Sequence, residues 1–265
     1  MDIKKAVTIR INLYKNHRNL GIPLKELLAY DTILLFKRDE RINAGKRILK
    51  KRGRYYAKQR YNLEFTENSD VNEVFVDNIY SIYSDFIPKE GQVVVDIGAQ
   101  YGDYAILCSK VYKAKVYTFE PLPENFKEIT ENIKINGLNE RQIQAFNVAL
   151  GNKDKTEVLS YSGDMANNIG EGEKIEVKFR TLDSYKIKPD IMKIDVEGFE
   201  LDVLEGAVET IKKFHPKIII KTHSKELEKR TKEFLSRFDY RLKHEGRSVY
   251  NSNDKFDKVT NLFFE

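Results

Sequence analysis

The apolar positions along the chain predict strands that alternate with helices. Short apolar runs, several rich in Val and Ile, are typical of strands buried in a parallel sheet, and between them apolar residues recur at helical spacing. We expect strands at residues 93–95, 116–119, 143–150, 190–194, 217–221, 240–244 and 259–264. We expect helices at residues 71–86, 103–111, 121–135, 199–214 and 225–238. The alternation predicts an α/β fold, a mostly parallel sheet with helices on both faces.

Two stretches depart from this alternation. Residues 156–161 and 175–182 alternate apolar with polar side chains, and the polar, glycine-bearing residues 162–172 join them. This pattern predicts an inserted β-hairpin, whose link could lie over a binding pocket or be an ordinary loop. The last strand, 259–264, comes at the chain end, which suits antiparallel insertion into the sheet.

Charge divides the chain into two parts. Of 46 Lys and Arg and 41 Asp and Glu, residues 1–70 hold 17 and 8, so this segment has a net charge of +9 against +5 for the whole chain. We predict a basic, mostly helical N-terminal segment at 1–70 and a ligand-binding domain at 71–265. The basic run 45–60 has two interpretations: a surface for the phosphates of RNA or an acidic membrane, or the solvated face of a helix.

The composition limits the kind of protein. The sequence has no run of 18 apolar residues, so we expect no transmembrane helix. Its first residues lack the uninterrupted apolar stretch of a signal peptide. The single cysteine, Cys108, excludes an intramolecular disulfide and a cysteine-based zinc site. A cytoplasmic protein is the simplest expectation, and the sequence does not determine the oligomeric state.

The first candidate ligand-binding residues lie where the first predicted strand ends. Asp96, Gly98 and Gly102 have the spacing Asp-x-Gly-x-x-x-Gly between a strand and a helix. Glycines let the backbone approach a ligand closely, and a helix start offers N–H groups to an anion. Glu120 ends the second strand about 20 residues later, where nucleotide-type folds hold a ribose. The spacing differs from the Gly-x-Gly-x-x-Gly of dinucleotide binders and is typical of enzymes that use S-adenosylmethionine (SAM); the alternative is an ordinary tight turn.

Further cofactor contacts are expected beside these residues. Ala99 lies in the glycine turn, and Pro121 follows Glu120. The end of the third strand lies beside the adenine in folds of this kind. Asn147, Val148 and Ala149 are therefore candidates for contact with that ring.

Two later strands are also followed by residues that could act in binding or catalysis. Asp195 and Glu197 follow the fourth strand and His223 follows the fifth, so the three should meet where ligands bind, outside the carboxyl ends of parallel strands. In methyl transfer to a hydroxyl, Asp195 would lie nearest the methyl group, His223 would act as base, and Glu197 would orient His223 or bind the acceptor. Alternatively, His223 satisfies backbone groups, Glu197 caps the next helix, or the three bind a divalent cation. We expect no metal, because the spacing matches no particular metal site.

The motifs at the strand ends are DIGAQYGDYA at 96–105, FEPLPENF at 119–126, NVALG at 147–151 and DIMKIDVEGFELDVLEGA at 190–207. Together, and above all through KIDVEG, they resemble the FkbM-type SAM-dependent methyltransferases. The resemblance covers roughly residues 90–225. It implies the Rossmann-like class I methyltransferase fold, with seven strands of which the last is antiparallel, and O-methylation of a hydroxyl, often on a sugar or natural product. By position it implies SAM contacts at Asp96, Gly98, Gly102 and Glu120, and active-site roles for Asp195, Glu197 and His223.

One position departs from the family pattern. Lys221 stands two places before His223, where members often carry a glutamate, and this loss of negative charge could indicate a different acceptor. We expect a small-molecule or glycan O-methyltransferase. The alternative is an RNA methyltransferase that docks through residues 45–60, and the third possibility is a SAM-binding module without activity.

Overall fold

The computed structural model describes residues 63–66, 72–75, 79–161, 173–247 and 259–265. All of them belong to one unit, Tyr61–Glu265. The predicted N-terminal helices, the basic run 45–60 and the hairpin link 162–172 lie outside the described residues, so those expectations stay predictions.

Ten strands form two sheets within the described part of the chain. They are β1 (Val93–Ile97), β2 (Lys115–Phe119), β3 (Ile143–Phe146), β4 (Ala149–Leu150), β5 (Lys155–Tyr161), β6 (Glu173–Arg180), β7 (Ile191–Ile194), β8 (Lys217–Thr222), β9 (Leu242–Arg247) and β10 (Thr260–Phe264). Seven form one sheet in the order β3-β2-β1-β7-β8-β10-β9. The strands β3, β2, β1, β7 and β8 run parallel, and β10 runs antiparallel between β8 and β9. The expected seven-stranded, mostly parallel sheet with an antiparallel last strand is confirmed.

The other three strands form a small sheet in the order β4-β6-β5. β5 and β6 pair antiparallel along their whole length, which confirms the predicted hairpin. In β6, Val177 and Phe179 are buried while Lys178 and Arg180 are exposed. This alternation is typical of a strand with one face in water.

The described helices are α1 (Asn72–Phe75), α2 (Asp103–Lys110), α3 (Pro123–Ile135), α4 (Glu200–Glu205), α5 (Val208–Phe214) and α6 (Lys225–Ser236), with 3-10 turns at Ser84–Phe86 and Leu182–Tyr185. Pro123 occupies the first turn of α3, where its missing N–H has no helical partner to lose. The Ser224 hydroxyl accepts a hydrogen bond from the Leu227 N–H (3.1 Å) and so caps α6. Within the described residues, no helix is both long and apolar enough to cross a membrane.

The core that supports the site lies where the central strands meet α4, α5 and α6. Each central strand contributes fully buried apolar residues, and the helices cover them with further ones: Val95, Ile97, Met192, Ile194, Ile218, Ile220, Val203, Leu204, Ile211 and Leu235. All four residues of β7 are buried, as expected for a strand covered on both faces. The carboxyl ends of these strands are therefore held in place by a closely packed core.

The predicted helix over 71–86 is wrong as a continuous element. Its described part contains one helical turn, Asn72–Phe75, turns and bends at 79–83, and the 3-10 turn Ser84–Phe86. Of the apolar positions whose spacing suggested the helix, Val74 and Phe86 are buried, whereas Ile82 is 41% exposed. Separate short elements bury the first two, so a continuous helix is not needed.

Contacts with distant segments hold this part of the chain. The Tyr80 hydroxyl donates to Asp195 Oδ2 (2.7 Å) beyond the carboxyl end of β7, whereas the Asp85 carbonyl accepts from Lys217 Nζ (2.8 Å) at the amino end of β8. The local hydrophobic pattern does not show such contacts.

Two other predicted elements are each split in the structure. The strand over 143–150 divides into β3 and β4, and the helix over 199–214 divides into α4 and α5. Gly206, between the two helices, packs on Gly151, which directly follows β4: a Cβ placed on Gly206 would lie 1.9 Å from the carbonyl oxygen of Gly151. The chain after β3 leaves the large sheet to pair with β6, and it passes against the junction between α4 and α5.

Asp183 starts the second of these helices. Its carboxylate accepts hydrogen bonds from the N–H groups of Glu209 (3.0 Å) and Thr210 (2.8 Å), in the first turn of α5. The Asp183 N–H in turn donates to the Gly206 carbonyl (3.0 Å). Asp183, which is distant in sequence, thus bonds to both sides of the interruption between α4 and α5, through its side chain to α5 and through its N–H to Gly206. The local sequence pattern could not reveal these contacts.

Candidate functional site

The carboxyl ends of the central strands bring the predicted acidic residues to one edge of the sheet. Asp96 lies within β1, Glu120 directly follows β2, and Asp195 directly follows β7. Thr222 ends β8, so His223 stands beside them. The Asp195 N–H donates to the Ile97 carbonyl (3.0 Å), which fixes the end of β7 against β1. The strand-end positions predicted from sequence are therefore brought together.

The glycine turn after β1 is held by hydrogen bonds within the protein. The N–H groups of Gly98 (3.0 Å) and Ala99 (3.2 Å) donate to the Phe119 carbonyl, and the Gly102 N–H donates to the Ala99 carbonyl (2.7 Å). Gly102 has φ +75° and directly precedes α2. The turn has the strand-glycine-helix form that the spacing predicts, but these three N–H groups are already used.

The structure gives a reason for glycine at position 98 that the sequence analysis did not supply. It has φ +74°, and a Cβ there would lie 1.9 Å from the Asp195 carbonyl oxygen. The expectation was close approach to a ligand, whereas the structure shows close approach to the chain after β7. Gly98 therefore joins the turn after β1 to the segment that carries Asp195 and Glu197.

Glu120 is fully buried at the end of β2. Its Oε2 accepts from the Gln100 N–H (2.9 Å), and its Oε1 accepts from the Leu122 N–H (3.0 Å) and Asn125 Nδ2 (3.4 Å). Burial raises the pKa of Glu120 to about 7, although these three donors oppose the rise. A carboxylate offers about four acceptor positions, so this group retains room for a ligand hydroxyl.

Asn147 joins the ends of β2 and β3. Its Nδ2 donates to the carbonyls of Glu120 (2.9 Å) and Pro121 (3.0 Å), so its amide holds the chain beside the buried carboxylate. Ala149 lies in β4 and pairs with Phe179 of the small sheet. The expected adenine contacts of these residues stay a prediction, while the structure gives Asn147 a supporting role.

Asp96 pairs with a lysine that the sequence analysis missed. Lys193, within β7, is buried with its Nζ 3.1 Å from Asp96 Oδ1, and it donates to the Gly98 carbonyl (2.8 Å). Burial raises the pKa of the Asp96 carboxyl despite this neighbour. Burial opposes the charged form of Lys193, but the charges of Asp96 and Asp195 outweigh it and raise its pKa. Losing one partner of such a buried pair is expected to cost about 3–5 kcal/mol.

Asp195 is the centre of the second part of the site. Its Oδ2 accepts from the Tyr80 hydroxyl (2.7 Å) and from Lys221 Nζ (3.3 Å). Burial would raise the pKa of Asp195, but the charges of Lys221, Lys193 and His223 outweigh burial and hold the pKa well below its usual range. Lys221, the departure noted in the sequence, thus faces the site and pairs with its central carboxylate.

Three carboxylates surround His223. Its Nε2 lies 3.3 Å from Glu197 Oε1 and 3.5 Å from Asp195 Oδ1, while its Nδ1 lies 2.6 Å from Glu200 Oε1. Glu200 also accepts from the Gly198 N–H (3.2 Å) and is fully buried. The alternative that Glu197 caps the next helix has no support, because α4 begins after Phe199 with no side-chain cap bond in the described structure.

These carboxylates change the acid-base character of the imidazole. Burial would lower the pKa of His223, but Glu197, Glu200 and Asp195 raise it to about 10. With no other cation at Nε2, the ring is an imidazolium at neutral pH and has no lone pair to accept a proton. The proposed role of His223 as base, which rested on an ordinary pKa, therefore gains no support from its surroundings.

Three members of the site were not found from sequence: Tyr80, Lys193 and Glu200. Lys193 had a usable signal, because a lysine inside an apolar strand, two residues before Asp195, lies on the same face of that strand as Asp195. Glu200 lies within the family motif at 190–207, but neither its contact nor that of Tyr80 could be predicted, since both depend on how α4 and the segment before β1 pack.

The sheet order and the acidic residues along its carboxyl edge define a class I methyltransferase. The sequence matches the Methyltransferase FkbM domain over residues 96–242, more than half of the chain. The protein belongs to the FkbM methyltransferase family, as its strand-end motifs indicate.

Two relatives are similar over about half of the chain. The hexuronic acid methyltransferase AglP of Haloferax volcanii is 29% identical over 147 residues, covering 51% of this chain and 58% of that protein. Methyltransferase 1 of Beauveria bassiana is 23% identical over 165 residues, covering 51% of this chain and 64% of that protein. The chain thus spans less than two thirds of the length of each relative.

A solved structure has the same fold. The crystal structure of methyltransferase FkbM from Methylobacillus flagellatus superposes with a TM-score of 0.52 at 21% sequence identity, covering 69% of this chain and 46% of that one. At this identity the likeness concerns the fold alone.

Proposed function

We propose that this protein transfers the methyl group of SAM to an oxygen of a sugar, with a hexuronic acid as the acceptor. The observation that carries the proposal is the meeting of two groups of residues at one sheet edge. Glu120 and the glycine turn form the first, and Asp195, Glu197 and His223 form the second. Gly98 packs directly on the Asp195 backbone, so the two groups adjoin.

The first group suits SAM. Glu120 is a buried carboxylate with one acceptor position unfilled by the protein donors described above, and it would accept a hydrogen bond from a ribose hydroxyl. We assign Asp96, Gly98, Ala99, Gly102, Pro121, Asn147 and Ala149 to the walls of this cofactor site. SAM supplies a methyl group on a sulfonium, and the protein must then align an acceptor oxygen with it.

The second group would hold the acceptor. Tyr80 and Lys221 fix Asp195 from one side, and Glu200 fixes His223 from another. Glu197 remains partly exposed, with 36% of its side chain accessible. We therefore assign Asp195, Glu197 and His223 to contact with the acceptor, because positioned groups are what an in-line displacement requires.

Two observations favour an acidic sugar. The relative from Haloferax volcanii is named a hexuronic acid methyltransferase, although the identity is modest. Lys221 places a positive charge beside Asp195, where family members often carry an acidic side chain. A positive charge at this position lowers the repulsion of a sugar carboxylate.

The test is methyl transfer from methyl-¹³C-labelled SAM by the full chain. The acceptors are methyl glucuronide, the matched neutral methyl glucoside and a structured RNA transcript, and NMR identifies the methylated oxygen. We expect label on the glucuronide, less on the glucoside and none on the RNA. At limiting SAM, Glu120→Ala should lower transfer about 10–100-fold, and Glu209→Gln, an exposed change in α5, should not alter it.

The outcomes separate the candidate functions. Transfer to RNA but to neither sugar would overturn the sugar proposal and favour docking through residues 45–60. Equal transfer to both sugars would overturn the acidic acceptor while leaving sugar methylation in place.

A further inference from the structure

We propose that Asp195, Glu197 and His223 bind one divalent cation with borderline ligand preference, such as Zn²⁺ or Mn²⁺. The spacing of these residues along the sequence gave no reason to expect a metal. Their arrangement in space does, since one ligand atom from each lies within 4.8 Å of the others. The set combines two carboxylates with an imidazole, a combination that suits these ions.

The distances fit a shared ion. His223 Nε2 lies 3.3 Å from Glu197 Oε1 and 3.5 Å from Asp195 Oδ1. Ligands bound at about 2.0–2.2 Å to one ion are separated by roughly 3.0–3.5 Å in octahedral or tetrahedral geometry. The two separations from His223 Nε2 thus fit a common ion, and the third separation is no more than 4.8 Å.

Each of the two less exposed ligands, Asp195 and His223, is held from outside by another residue. Tyr80 and Lys221 occupy Asp195 Oδ2, and Glu200 lies 2.6 Å from His223 Nδ1. The inward atoms, Asp195 Oδ1 and His223 Nε2, are buried and make no hydrogen bond with the described residues. A carboxylate on the outer nitrogen of a ligand histidine is the usual support of a metal site, because it orients the ring.

The charges of the cluster also favour a divalent cation. Asp195, Glu197 and Glu200 bring three negative charges, and Lys221 brings one positive charge. With His223 as an imidazolium, these described residues sum to one negative charge. With a divalent cation on a neutral ring, they sum to zero. Buried charge that is left unbalanced is expensive.

The exposed side of Glu197 leaves coordination positions open to an acceptor oxygen. This role, unlike the binding itself, rests on the proposed function. A coordinated hydroxyl loses its proton to water more easily. Its oxygen then bonds to the methyl carbon while the carbon–sulfur bond breaks and its electron pair returns to sulfur, so the sulfonium becomes a neutral thioether.

Calorimetric titration of the full chain with ZnCl₂, MnCl₂ and MgCl₂ tests the binding, after chelator treatment and without any histidine tag. We expect one Zn²⁺ or Mn²⁺ per chain and much weaker Mg²⁺ binding. Glu197→Gln, at the exposed ligand, should weaken binding by about tenfold or more, and Glu200→Gln, which acts through His223, by about 10–100-fold. His215→Gln removes a histidine that stacks on Tyr240 away from the site, and it should leave binding unchanged.

The result that overturns the proposal is either no stoichiometric binding or binding that Glu197→Gln and Glu200→Gln leave unchanged. Circular dichroism of each variant establishes that it is folded. Because the titration contains neither SAM nor acceptor, a failure of methyl transfer would not affect its outcome. A protein that transfers methyl groups without binding metal would refute only this inference.

Discussion

Three charged pairs at the carboxyl edge join side chains from different elements. Lys193 of β7 pairs with Asp96 of β1, Lys221 of β8 pairs with Asp195, and Glu200 of α4 pairs with His223. Burying an unpaired charge costs several kcal/mol, so these pairs make the charged site compatible with a stable fold. At the residue scale, the site is a set of pairs that hold one another in position.

Glu120 gives this site a pH dependence. Its pKa of about 7 means that it is mostly ionised at pH 8 and mostly protonated at pH 6. A protonated carboxyl loses acceptor capacity toward a ribose hydroxyl, so SAM affinity should fall as the pH falls. If binding requires the ionised form, the dissociation constant should be about tenfold larger at pH 6 than at pH 8.

Calorimetry at both pH values, on the parent chain and on Glu120→Gln, measures this effect. The variant keeps the size of the side chain and cannot titrate, so any slope that it retains belongs to SAM itself. An identical slope in both proteins would contradict the assignment of Glu120.

At least one member of each pair was identified from the sequence. Asp96, Glu120 and Asp195 were predictable because each ends or follows an apolar run, and the carboxyl ends of parallel strands meet. The contacts of Tyr80 and Glu200 were not, because these residues reach the site through packing between distant segments. The reason for Gly98 was also hidden, since its neighbour, the Asp195 carbonyl, lies 97 positions away in the chain.

At the element scale, one backbone contact links the small sheet to the helix pair after β7. The junction of α4 and α5 packs on Gly151, which directly follows β4. Hydrophobic spacing predicted one strand and one helix here, because it registers which face is buried and not where the backbone bends. Asp183 caps the N-terminus of α5 and so stabilises the interruption between the two helices.

Gly206→Ala tests this contact. Gly206 has an ordinary φ of −80°, so the demand for glycine comes from space alone. The new methyl group would meet the Gly151 carbonyl, and we expect the free energy of unfolding to fall by about 1–3 kcal/mol. Urea unfolding measures it.

The matched control is Gly246→Ala in β9, where a Cβ would meet nothing within 4 Å. We expect a change within about 0.5 kcal/mol there. Equal effects of the two substitutions would refute the contact as the cause.

At the scale of the whole molecule, alternating strands and helices were sufficient to predict the α/β class. The seven strands and the antiparallel last strand were expected from the resemblance to the FkbM family, and both are confirmed. The division into a basic segment at 1–70 and a methyltransferase domain at 71–265 remains our proposal. The central claim is that the edge formed by β1, β2, β7 and β8 binds SAM.

Calorimetric titration of the full chain with SAM and with S-adenosylhomocysteine tests that claim most directly. We predict one site per chain, weakened about 10–100-fold in Glu120→Ala through loss of a charged hydrogen-bonding group, and unchanged in Glu209→Gln. Absence of binding by the parent chain, or equal affinity in Glu120→Ala, would contradict the account.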